Sequence, residues 1–131
     1  MEKKFLKKII AQSARDLQMI SAICSESKIK LSDIKYLSKN KIFLISLERI
    51  NRETSNKNEK INSIIKFEFI DSSKSKNIDQ NNLNEIVKLI AIDLIKKEYN
   101  YEIILLFSNN RIITLSAEII EVTLEDQKIN D

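Results

Sequence analysis

Serine, lysine and the carboxylates carry whatever chemistry this chain can do. Ser-x-x-Lys, a spacing used by Ser-Lys hydrolases, occurs at Ser25/Lys28, Ser32/Lys35, Ser38/Lys41, Ser63/Lys66 and Ser73/Lys76. A chain rich in both residues produces such hits by composition alone, so none marks a nucleophile. Asp71 and Asp79 flank a polar stretch and form the best-placed carboxylate pair for an oxygen-ligand metal or for acid–base work. The other acids mostly alternate with apolar residues, as on a solvated sheet face. The block Lys74, Ser75, Lys76, Asn77, Ile78, Asp79 offers a different chemistry. Its two lysines bracket a serine, and Asn77 can bend the backbone. Consecutive amides in such a bend can form an anion-binding nest, with the lysines adding charge. The competing reading is a solvated connection between strands.

The missing residue types narrow the chemistry further. The chain has no histidine, glycine, proline or tryptophan. Without histidine it lacks the usual general base, the commonest metal ligand and both Ser-His and Cys-His pairs. Without glycine it can build neither a P-loop nor a dinucleotide fingerprint. The single cysteine, Cys24, rules out an internal disulfide and every CxxC metal motif. It sits on an apolar helical stripe, which makes it a small core residue. No structural metal is expected, because a tetrahedral zinc site lacks its usual ligands.

Composition sets the class. Hydrophobic residues make up 43% of the 131 and charged residues 31%, a globular balance that needs no staple. Net charge is +3, too little to argue for nucleic acid, and the aromatics lie in apolar strand patterns instead of among the lysines. The opening residues are basic but lack the unbroken apolar run of a signal peptide, and no stretch suits a membrane span. Together with the absent disulfides, this favours the cytoplasm.

The elements that must position these residues follow from periodicity. FLKKIIA at 5–11 reads as a strand. A helix over roughly 14–25 is capped by Ser13 and carries Leu17, Ile20, Ile23 and Cys24 on one stripe. The segments 28–37 and 41–50 read as strands around Ser38–Lys41, where Asn40 can take the positive-φ position. Phe43, Ile45 and Leu47 share one face of the second strand, with Ser46 and Glu48 on the other. Residues 51–60 read as a loop, 64–70 as a strand with Ile65, Phe67 and Phe69 in phase, and 71–82 as a second loop. The segment 83–97 fits a helix slightly better than a strand on local pattern. Asn109-Asn110 suits a two-residue type I′ hairpin that sets Leu106 opposite Ile113 and Ile104 opposite Leu115. A slip in phase near Ile119 predicts a bulge or sharp bend.

Several of these blocks carry a resemblance. DLQMISA at 16–22, the strand pair through Arg49, SKNID at 75–79, LIAIDL at 89–94 and the ending IIEVTLED are similar to a small bacterial family catalogued as domain of unknown function 2948. The likeness spans roughly residues 5–126. It implies a fold, with no activity, cofactor or partner attached, and it makes 83–97 a strand. In the family the 75–79 block reads Ser-Arg-Gly-Ile-Asp. Asn77 in place of glycine keeps access to the left-handed region, while Lys76 in place of arginine loses the bidentate fork. A tryptophan typical of the stretch after Arg49 is absent, with Arg52 standing about there.

The expectation is one α+β domain over 1–131. A curved antiparallel sheet of six to seven strands, curling toward a partly open barrel, carries one N-terminal helix. Leu17, Ile20, Ile23 and Cys24 should pack on Phe43, Ile45, Leu47, Ile113 or Leu115. The function read from this is a non-catalytic binding or protein-interaction module of unknown role, docking a protein partner or associating with itself, with no cofactor and no membrane. The alternatives are an anion, nucleotide or RNA binder through the 71–82 loop and, behind it, a histidine-free enzyme.

Overall fold

The structure is a computed structural model that describes residues 6–52 and 59–130. Strand β1 (Lys8–Ala11) leads into helix α1 (Ala14–Cys24). Then come β2 (Ser27–Lys30), a 3-10 turn at Leu31–Asp33, β3 (Ile34–Leu37), a second 3-10 turn at Ser38–Asn40, and β4 (Ile42–Ile50). The chain continues through β5 (Lys60–Phe67), β6 (Ile70–Lys76), β7 (Ile86–Lys96), β8 (Tyr101–Phe107), β9 (Arg111–Ala117) and β10 (Val122–Asn130). These strands form one antiparallel sheet in the order β1-β10-β5-β4-β2-β7-β8-β9-β6, with β3 added on β4. Among the described residues the sheet does not close: its path ends at β1 and β6, and no pairing joins β6 to β3.

The fold is α+β as expected, but the sheet has ten strands, not six or seven. The 3-10 turn at Leu31–Asp33 divides what read as one strand into β2 and β3. The stretch read as the 71–82 loop contains β6. An edge strand needs only its backbone ladder, so serine and lysine suffice there and the polar composition hides it. The segment 83–97 is the strand β7, as the family resemblance implied. The bulk of the expected 51–60 loop, residues 53–58, lies outside the described residues, as does residue 5 of the first expected strand.

Turns in this glycine-free chain use other residues at positive φ. Asn77, Asn109 and Asn110 do so, along with Glu26, Lys41 and Phe69. Lys41, not Asn40, takes that position in the 38–41 turn (φ 55°). Phe69 (φ 60°) breaks the 64–70 run, so it is exposed and leaves the buried row of Ile65 and Phe67. The β8–β9 loop has three residues, Ser108–Asn110, because Phe107 pairs with Arg111. The register is therefore one residue off the expected one: Leu105 faces Ile113 and Ile103 faces Leu115. The slip near Ile119 is a bend at Glu118–Ile119, where the chain changes neighbours. Before it, β9 pairs with β8 and β6; after it, β10 pairs with β1 and β5.

Helix α1 begins at Ser13, whose hydroxyl accepts the Asp16 N–H at 3.2 Å. Leu17, Ile20 and Cys24 are buried and Ile23 is half-buried against the core. The helix lies mainly on β7 and β1 and only lightly on β4. The stripe shares one buried cluster with Phe43, Ile45, Leu47, Ile113 and Leu115, as expected, although β7 and β1 form most of the helix seat. Ser21 fixes the seat on β7 by accepting the Ile92 N–H at 2.9 Å, beside the register shift at Leu89/Ala91. Burial pushes the Cys24 thiol up to about 12, although the nearby Arg49 charge opposes the shift. Cys24 should therefore resist alkylation at neutral pH in the native protein and react at the ordinary rate once urea unfolds the chain. Rapid labelling of native protein would contradict its buried placement.

Candidate functional site

Strand alternation separates the residues of the proposed anion block. Lys74 lies opposite Thr114, Ser75 opposite Ile113 and Lys76 opposite Ile112. Lys74 lies beside Ser72, Thr114 and Ser116 in a polar hollow. Ser73 and Ser75 face the other way, toward Tyr36, Phe43 and Ile113. Asn77 ends the strand at φ 62°, and its amide donates to the Asn110 carbonyl at 2.8 Å. Asp79 accepts the Asn81 N–H at 2.9 Å and so holds its own turn. The block is thus the end of a strand and the turn after it, with Lys74 and Ser75 on opposite faces. Asp71 is engaged elsewhere, at 3.1 Å from Lys41, which also bonds Glu118 at 2.8 Å. These two carboxylates, Glu118 foremost, hold the Lys41 ammonium up at about 12.

The sheet's curl brings β6 round toward β3 and leaves a slot between them. Its floor is the buried pair Phe43 and Ile113, its walls are Ile34 and Tyr36 on one side and Ser73 and Ser75 on the other, and Ile78, Gln80 and Leu83 of the following connection line its far end. The cavity measures about 290 Å³. At one end the strands are drawn together, because Ile70 N–H donates to the Lys41 carbonyl at 2.9 Å and Tyr36 Oη donates to the Ile70 carbonyl at 2.9 Å. At the other end Ser32 N–H donates to the Leu83 carbonyl at 2.9 Å, anchoring the 77–85 connection. Between these ties no backbone hydrogen bond joins β3 to β6 among the described residues. Two strand edges therefore face one another across an apolar floor.

A second polar centre lies inside the sheet. Arg49 donates from Nε to Asp126 Oδ1 at 3.0 Å and from Nη2 to Oδ2 at 2.8 Å, and both side chains are essentially without exposure (1% and 0%). Ser63 Oγ donates to Oδ1 at 2.7 Å, and the Lys7 N–H donates to Oδ2 at 2.8 Å. Burial works to raise the Asp126 pKa, but these donors together hold the carboxyl below its usual range. Arg52 donates to the Ile23 and Ser25 carbonyls at 3.3 and 3.1 Å and closes the C-terminal end of α1. Among the described residues no three of Cys, Asp and Glu cluster as a metal site would need, and no helix is long and apolar enough to cross a membrane.

Comparison with known proteins adds the lineage. The family described as "Protein of unknown function (DUF2948)" matches residues 7–130, almost the whole chain. The chain belongs to that family. No curated protein matches. Among solved structures the chain is similar to an uncharacterized protein from Neisseria gonorrhoeae, at 19% identity and a TM-score of 0.44, over 75% of this chain and 90% of that one.

For this DUF2948 member, the buried centre is what sequence reasoning missed. Arg49 and Asp126 close two of the family-like blocks, yet nothing in the blocks themselves paired them. The signal was in the alternation. Arg49 falls in the inward phase of Phe43, Ile45 and Leu47, Asp126 in that of Val122 and Leu124, and Ser63 in that of Ile61 and Ile65. Opposite charges at two inward positions must either meet or unfold the sheet. Arg52, standing where the family tends to have tryptophan, has a structural task at the helix end.

Proposed function

We propose that this protein is a non-catalytic binding module that docks an extended segment of a protein partner in the slot between β3 and β6. The observation that carries the reading is a pair of strand edges, without a strand partner among the described residues, on either side of the slot above Phe43 and Ile113. An added strand gains main-chain hydrogen bonds from an edge and side-chain specificity from the pocket beside it. Size favours side chains over a cofactor, since about 290 Å³ is at the bottom of the ligand-pocket range of roughly 300–1,000 Å³.

Selection from a displayed library of random peptides tests the reading. Binders recovered on the native protein should lose at least about tenfold in affinity for Ser75→Trp, which fills the slot, while the thermal midpoint of the variant stays close to that of the parent. Equal binding to the filled variant, or no binder to the native protein, would refute docking in the slot.

A further inference from the structure

We infer that the segment received by the slot alternates apolar and acidic residues; this rests on the docking reading above. A strand added at the free edge of β6 continues the sheet, so its side chains alternate between the two faces as those of β6 do. On the slot side they come beside Ile34, Tyr36 and Ile78, which are half-buried and favour an apolar side chain. On the other side they come beside Lys74, and beside Lys76 one alternation further along. Both lysines are exposed, and neither has a carboxylate within ion-pair distance among the described residues. Three other cations, by contrast, have carboxylates. Lys41 has Asp71 and Glu118, Lys97 has Glu102 at 2.9 Å, and Arg111 has Glu85 at 2.6 Å.

The outer row of β6 therefore carries two charges with no ion-pair partner among the described residues. Opposite charges facing across adjacent strands stabilise the pair and like charges oppose it. Lysines on an edge also discourage indiscriminate pairing, so the same two residues turn away a basic strand and favour an acidic one.

Three peptides as long as β6, blocked at both ends, separate the outcomes. Each has valine at alternate positions, with Glu, Gln or Lys between. By fluorescence anisotropy the Glu peptide should bind severalfold to about tenfold tighter than the Gln peptide, with the Lys peptide weakest. Added salt should shrink that preference, because both lysines are solvent-exposed. In the double variant Lys74→Gln/Lys76→Gln the Glu and Gln peptides should bind alike, with Gln-peptide affinity unchanged. Equal binding of Glu and Gln peptides to the native protein, or a preference that survives in the double variant, overturns the acidic specificity and leaves the docking reading standing. Failure of all three peptides on folded native protein overturns the docking reading itself.

Discussion

Replacing Asp126 by alanine is expected to cost about 3–5 kcal/mol of stability, the typical loss when one partner of a buried ion pair is removed. The reason is the charge left behind. Arg49 is 1% exposed and spends two guanidinium nitrogens on Asp126. Without the carboxylate it keeps its desolvation and loses both of these charge-assisted bonds. Ser63 and the Lys7 amide lose an acceptor in the same step. The double change Arg49→Met/Asp126→Leu removes both charges and should restore most of the loss, because well-packed apolar pairs commonly match a buried ion pair. Urea denaturation of the three proteins measures this. A loss under about 1 kcal/mol for Asp126→Ala would mean that the pair is not buried as described.

The same centre sets a pH dependence. Asp126 has a folded pKa below its unfolded value of about 3.9. The unfolded chain therefore binds a proton first as pH falls. The stability from this group is fully present above about pH 4 and is lost as pH drops toward the folded value. Asp126→Asn removes that titration, so its stability should vary less over the acid window than that of the native protein.

Leu17→Ala and Ile20→Ala should each cost about 2–5 kcal/mol, the range for large-to-small changes in a closed core. Both side chains are essentially fully buried (1% and 0%) beneath the sheet. The Ser21 bond to Ile92 holds the helix backbone on β7, so α1 cannot slide to fill the void. Met19, half-exposed on the other side of the same helix, is the control. Met19→Ala should change stability by no more than about 0.5 kcal/mol. Equal effects at all three positions would place the helix stripe wrongly.

The legible parts of this molecule were those in which apolar periodicity and burial coincide. The stripe of Leu17, Ile20 and Cys24, the inward row of Phe43, Ile45 and Leu47 and the Asn109-Asn110 turn could all be read from residue order. Register was not legible, because one residue more in the β8–β9 loop shifts every pairing without changing the pattern. Strand β6 was hidden because an edge with solvent on its flank tolerates Ser72, Ser73, Lys74 and Ser75. The slot was invisible for a related reason: its walls come from β3, β4, β6 and β9, and their meeting depends on the curl of the sheet. Of the block proposed for anion binding, only Ser75 reaches its lining, with Ile78 beside it.

Backbone amide exchange of the native protein, with and without the alternating valine–glutamate peptide, tests docking in the slot most directly. Slowed exchange is expected at the β6 amides that point away from β9 and along Ile34–Leu37, with α1 and β10 unchanged. Protection confined to other strands, or no change in β6 at saturating peptide, would contradict it.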